Sequence, residues 1–370
     1  MVNPAQRLNN IELSQIRKMF DVGKEDDINL GIGEPDSDIP KEATEAIKNA
    51  LDEGNTHYTP NKGIIELREK ISQKLKTENN YKTDPESVII TNGASEALYM
   101  CAQAFFEKND EVLIPNPGFL SYQACVELAE AKPIPINSRF ENGFKIKSED
   151  IEEQITAQTK AIILNSPSNP TGAVIDKEDI KAIAEIAEDN NILVISDEIY
   201  EKIIYDSKHY SPGEFNDNTI IINGFSKTYA MTGLRIGYLA TNENLAEELL
   251  KVHQYTTACA SSISQIAALT AMQKSSEYVV NMVKEFKSKR DLITGRLDDM
   301  GLEYPMPQGA FYVFPRVDNS EDFVKKALDA GVITVNGKAF GTNGVEHVRM
   351  SYSTSYENIE KAMDRIETII

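Results

Sequence analysis

Residues 161–200 constrain this chain most. An apolar run, AIILNS, leads into the turn-rich PSNPTG, then a helix pattern over 178–189, then a second apolar run, ILVIS, ending in Asp197. Strand, crossover and strand make one right-handed βαβ unit, so the two strands are parallel and both C-terminal ends lie on one edge of a sheet. Asn169 and Asp197 therefore share the rim where open α/β sheets bind ligands. Similar short β-branched runs recur at 88–91, 111–115, 133–136, 219–223 and 235–240, with helix patterns at 96–106 and 122–131 between them. This alternation predicts an α/β fold with a mainly parallel seven-stranded sheet covered by helices.

From about residue 245 the pattern changes to long helices, notably 277–300. A second, smaller α+β set follows, with strands near 311–314, 332–335 and 347–351 and a closing helix over 356–369. At ~150 residues per domain, 370 residues suit two domains. The expected division is an N-terminal arm, 1–43, that joins a small C-terminal domain, 281–370, around a large domain, 44–280.

A formal charge of −20 argues against nucleic acid, which is held by clustered Lys and Arg, and against an anionic membrane surface. Three cysteines far apart in sequence form no zinc or disulfide framework, and the N-terminus lacks the features of a signal peptide. The chain reads as cytoplasmic. Histidines 57, 209, 253 and 347 show no pairing on a helix face, so no metal is expected.

Three further segments bear on chemistry. In NLGIGEPD (29–36) the third glycine of a dinucleotide fingerprint is missing and prolines follow. Gly33 reads instead as a point of close approach between backbone and ligand. In TNGASEAL (91–98) Gly93 allows a tight turn, and the free N–H groups of Ala94 and Ser95 open a helix whose positive end suits an anion. In NGFSKTYAMTGLRIG (223–237) Lys227 stands after a strand between apolar neighbours, where desolvation favours a neutral, nucleophilic amine. Arg235 offers a planar fork for phosphate. Taken singly, Asp197 also reads as a helix cap, Asn169 as turn chemistry, Lys227 as a solvated lysine and Arg235 as half of a surface ion pair.

Together these pieces resemble the class I/II aminotransferases, pyridoxal-phosphate enzymes of fold type I. The likeness runs in order through LGIGEPD, HYTPNKGIIELREKI, TNGASEAL, PNPGFLSY, NSPSNPTG, SDEIY, GFSKTYAMTGLRIGY, PQGAFYVF and VRMSYS. The resemblance implies pyridoxal 5'-phosphate as cofactor, held as an imine on Lys227, with Asp197 on its ring nitrogen. It implies Asn169 and Tyr200 at the ring hydroxyl and Phe119 on the ring face. Ala94, Ser95, Ser226 and Arg235 would take the phosphate, joined by Tyr58 from the other subunit of a homodimer. Arg349, with Gly33 and Asn169, would take the substrate carboxylate.

The implied reaction moves an amino group from an L-amino acid to a 2-oxo acid, 2-oxoglutarate for preference, by ping-pong chemistry. Aspartate, an aromatic amino acid or alanine is the expected donor. Ser95 stands where one aspartate-specific subgroup carries a lysine, and Ser37 where GEPDF has its phenylalanine. A carbon–sulfur β-lyase on the same fold is the alternative. A non-catalytic regulator is disfavoured, because Lys227, Asp197 and Arg349 are all retained.

Overall fold

The computed structural model describes residues 2–9, 11–13, 24 and 26–370. Strand β1 (Ile28–Asn29) precedes helices α1 (Lys41–Asp52) and α2 (Ile65–Glu78). There follow β2 (Val88–Thr91), α3 (Ala94–Phe105), β3 (Glu111–Asn116), α4 (Ser121–Leu128), β4 (Lys132–Asn137), α5 (Ser148–Glu152) and β5 (Thr159–Asn165). Next come α6 (Lys177–Asp189), β6 (Leu193–Asp197), β7 (Thr219–Gly224) and β8 (Gly237–Ala240). Helices α7 (Glu243–Thr256), α8 (Ser262–Lys274) and α9 (Ser276–Asp299) lead to β9 (Tyr312–Val313) and α10 (Ser320–Asp329). The chain closes with β10 (Val332–Ile333), β11 (Val335–Asn336), β12 (Val348–Ser351) and α11 (Tyr356–Glu367).

Seven strands form one sheet in the order β2-β8-β7-β6-β5-β3-β4, parallel except for β8. The β-branched runs suit strands covered on both faces: every residue of β2, β6 and β7 is buried. Alternation along each strand divides the core. Ile163 and Ile195 pack to one side with α3 and α4, while Ile162, Leu164 and Val194 pack to the other with α6. Pro133 and Pro135, which have no N–H to give, are accommodated because β4 is an edge.

Two expected strands differ in the structure. The run 235–240 becomes strand only from Gly237, because Arg235 adopts a left-handed φ of 49° that turns it out of the sheet. The run 332–335 divides between two sheets: β10 pairs in parallel with β1, while β11 joins the antiparallel set β11-β12-β9. Ile28 and Leu30 thus enter the same apolar cluster as Val332, Val348, Met350 and α11, which ties the N-terminal segment to the C-terminal third. No helix among the described residues is long and apolar enough to cross a membrane.

His347 is buried against Phe140, Phe144 and Phe314, stacked on the last with ring centroids 5.0 Å apart. Burial, with Arg316 nearby, pushes its pKa down to about 4. An unfolded chain takes up this proton near pH 6.5, so folding stability falls as pH drops from 6.5 towards 4. Urea midpoints between pH 7 and 5 should fall less steeply in His347→Phe than in the parent protein.

Candidate active site

The sheet delivers its chemistry to one edge. Asn165 ends β5 opposite Asp197 at the end of β6. Its side-chain amide donates to the Asp197 carbonyl at 3.0 Å, and its oxygen accepts the Asn169 N–H at 2.9 Å. The end of β7 leads to Ser226 and Lys227, and the end of β2 to Gly93 and α3. These loops surround a cavity of about 500 Å³, closed on its far side by Gly33, Tyr312 and Arg349. Ala94, Ser95, Phe119, Asn169, Asp197, Tyr200, Ser226, Lys227, Arg235, Gly33 and Arg349 all line it. Tyr58 does not: within this chain it lies outside the cavity, 89 % exposed.

The Lys227 ammonium donates to the Gly33 carbonyl. Burial, helped by Arg349 and Arg235, pushes its pKa down to about 8 against the opposing pull of Glu34 and Asp197. Roughly a tenth of the amine is therefore neutral at pH 7, far more than for a solvated lysine. Asp197 moves the other way, pushed up to about 6 by burial and by Glu198. The Tyr122 hydroxyl, donating to its Oδ2 at 2.8 Å, and the Ile199 N–H, at 3.2 Å from Oδ1, oppose that rise. A buried carboxylate held this way is stabilised by any cation that comes within reach of it.

Arg349 is 2 % exposed and faces no carboxylate among the described residues. One guanidinium nitrogen donates to Asn169 Oδ1 at 2.9 Å and another to the Gly31 carbonyl at 2.5 Å, while Nε is buried without a partner. Its guanidinium carbon sits 4.5 Å from the Tyr312 ring centroid and 4.9 Å from that of Phe340. Aromatic faces compensate part of the desolvation, but a planar anion would satisfy the fork fully. Tyr312 also bonds Tyr200, hydroxyl to hydroxyl, at 2.8 Å. Burial raises the pKa of both phenols, which remain protonated donors.

At the opposite end, Gly93 caps α3 at φ 76°, leaving the first N–H groups of that helix free. A Cβ at Gly93 would lie 2.7 Å from an Arg235 guanidinium nitrogen. The missing side chain is thus what lets Arg235 lie against the helix start. Gly93→Ala combines ~1–3 kcal/mol of backbone strain with displacement of Arg235. It should weaken cofactor binding on the order of tenfold, which fluorescence titration of the cofactor-free protein would measure.

Tyr122 and Tyr312 are among the cavity residues that the residue-by-residue reading did not single out. Tyr122 was legible in principle, since it follows Phe119 at helical spacing inside PNPGFLSY. Tyr312 lies inside PQGAFYVF, but its approach to Gly33 depends on contacts between residues nearly three hundred positions apart.

The donor set fits pyridoxal phosphate: an arginine and a helix N-terminus for phosphate, a buried carboxylate for the ring nitrogen, a depressed lysine for the aldehyde and an unsatisfied arginine for substrate. Known proteins of similar sequence and structure agree. The family described as aminotransferase class I and II matches residues 25–366. A probable aspartate aminotransferase of Methanocaldococcus jannaschii is 52 % identical over 374 residues, covering 99 % of each chain. Aromatic-amino-acid aminotransferase 2 of Thermococcus litoralis is 42 % identical, covering 99 % of this chain and 98 % of its own. The structure of aspartate aminotransferase from Thermus thermophilus with maleate superposes with a TM-score of 0.97 at 34 % identity, covering both chains fully. The chain belongs to the class I and II aminotransferases and is a pyridoxal-phosphate-dependent enzyme that transfers amino groups.

Proposed function

We propose that the enzyme exchanges amino groups between an L-amino acid and a 2-oxo acid, with glutamate and 2-oxoglutarate as one pair and aspartate as the preferred second donor. The observation that carries this reading is the buried guanidinium of Arg349, which faces no carboxylate among the described residues, leaves its Nε without a partner, and shares a cavity with Lys227. Relatives named as aspartate aminotransferases, among them the 52 % identical one, support the choice of aspartate. So does the dicarboxylate maleate named with the Thermus structure.

Arg349 holds the substrate α-carboxylate bidentately, and that contact orients the Cα–H bond. Asn169 fixes the guanidinium from behind. Bound pyridoxal phosphate supplies the sink for the electron pair left when that bond breaks. Lys227 Nζ, its pKa lowered by burial to about 8, takes the proton from Cα in its neutral form and returns it on the other side of the transfer. Asp197, kept in place by Tyr122 and Ile199, holds the proton on the ring nitrogen. Tyr200 and Asn169 donate at the ring hydroxyl, and Phe119 covers the ring face. Ala94, Ser95, Ser226 and Arg235 anchor the phosphate.

The same reading makes residues 44–280 the large domain and joins 1–43 to 281–370 as the small one. Part of 1–43 lies outside the described residues. A homodimer completes the site: Tyr58 and Tyr255 are each 89 % exposed, and a partner's Tyr58 side chain would supply the remaining phosphate contact. Three free thiols suit a reducing, cytoplasmic setting.

A panel of amino donors against 2-oxoglutarate and pyruvate, scored for both new products, tests the proposal. Aspartate with 2-oxoglutarate should give the highest kcat/KM. Pyruvate and thiol released from cystathionine without an acceptor, at a rate exceeding transfer, would overturn it. Sedimentation of the active enzyme should give a dimer.

A further inference from the structure

The turn that follows β6 faces two ways. Asp197 and Tyr200 point into the cavity, whereas Glu198 and Glu201 point behind it, between α2 and the end of β7. Glu198 is 0 % exposed. It accepts from the hydroxyls of Ser196 at 3.0 Å and Ser211 at 2.6 Å, and from the Asn79 amide at 2.9 Å. Glu201 accepts from Asn79 and Asn223, each at 2.8 Å, and from Lys74. His209 closes the cluster. Its side chain is 9 % exposed, and its Nε2 lies 3.0 Å from Glu198 Oε2. The angle is too poor for a hydrogen bond, and neither ring nitrogen has another partner.

A ligand-type atom from Glu198, Glu201 and His209 lies within 4.8 Å of each of the others, which is also a spacing for a cation. Lys74 already provides a cation there, and Asn79 bridges both carboxylates, so the cluster is built around protein charges. From α2 it is faced by Lys74 and by Glu78, which pairs with Lys202 at 2.7 Å. Tyr81, Tyr229 and Tyr238 lie around it, their phenols raised by burial. Lys208, next to His209 in the chain, is directed at the Tyr210 ring. Two carboxylates and one ammonium leave an excess negative charge one residue from Asp197. An imidazolium removes that excess, and burial beside two carboxylates leaves His209 with a raised pKa in spite of its desolvation.

We propose that His209 is a positioning residue: as a buried imidazolium it cancels the field of Glu198 and Glu201 behind the turn, and so keeps Asp197 ionised to receive the cofactor's ring nitrogen. The proposal rests on the reading of Asp197 as the group that meets that nitrogen.

The test is the affinity of cofactor-free protein for pyridoxal 5'-phosphate between pH 5 and 9, by equilibrium dialysis, in the parent, His209→Gln, Glu198→Gln/His209→Gln and Asp197→Asn. The ligand's own titration is common to all four. His209→Gln should raise by about one unit the pH below which affinity falls, and the double variant, which removes both charges, should restore the parental value. An unmoved threshold in His209→Gln, or a double variant displaced as far as the single one, overturns the inference. Asp197→Asn should lose the threshold altogether. If it keeps the parental one, the reading of Asp197 itself fails, which is a separate result. A second measurement needs no stable single variant. Carbon-labelled histidine in the parent protein should show one ring, missing from the double variant, that stays charged above pH 7. A neutral His209 at pH 7 overturns the inference.

Discussion

Lys227→Ala should bind pyridoxal phosphate without the absorbance change of a lysine adduct and should lose steady-state transfer on the order of 10⁴-fold or more. Removing a group that acts directly in bond making costs this much elsewhere. The argument is geometric as well as chemical. Among the described residues Lys227 is the one lysine lining the cavity, held at the Gly33 carbonyl, with its pKa pushed down to about 8. No other described residue around the cavity combines a free amine with that reach, so added methylamine should restore only a small part of the rate. Multiple turnovers at the parental kcat would show that the proton is moved by another group.

The second large effect is expected at Arg349. Arg349→Ala removes the guanidinium at the Tyr312 end of the cavity and leaves Asn169 Oδ1 and the Gly31 carbonyl without their donor. Truncating one partner of a buried charge-assisted contact costs about 2–5 kcal/mol, so kcat/KM should fall roughly 30- to several-thousand-fold. Arg349→Lys keeps the charge but not the planar fork, and should recover little. The two positions should separate in cofactor binding. Lys227→Ala changes the spectrum of bound cofactor, whereas both Arg349 variants keep the parental spectrum and lose substrate. A parental KM for every amino donor in Arg349→Ala would place carboxylate recognition elsewhere.

The sheet was legible because most of its strands, unlike the edge strand β4, are buried on both faces and so read as apolar, β-branched runs. Val88, Ile89 and Ile90 needed no alternation to be recognised. Loop residues were legible where the chemistry forces a residue type. Lysine in the turn that follows a buried strand, aspartate after a buried strand and glycine before a helix are each hard to replace. The two ends of β8 and β10 were misread for one reason. Arg235 and Thr334 sit inside apolar runs, but tertiary contacts, Arg235 against Gly93 and β1 against β10, decide where pairing stops. The buried cluster behind Asp197 was invisible for a related reason. His209 and Glu198 are eleven positions apart with no helical or strand period between them, and Lys74 reaches the neighbouring Glu201 from α2. Tyr58 shows the opposite limit: family likeness assigns it a task that one chain alone does not let it perform.

The contact between Arg349 and Gly31 joins residues 318 positions apart. During synthesis the seven strands of the large sheet are complete once Ala240 has left the ribosome, with Lys227 already in its loop. The wall formed by Gly33 and Arg349 must wait for more than a hundred further residues. For that interval Lys227 stands open to water, without the burial and the Arg349 charge that later lower its pKa. Cofactor bound then would meet a phosphate cup and a lysine but no substrate clamp. The substrate clamp is thus the last part of the site that the chain supplies.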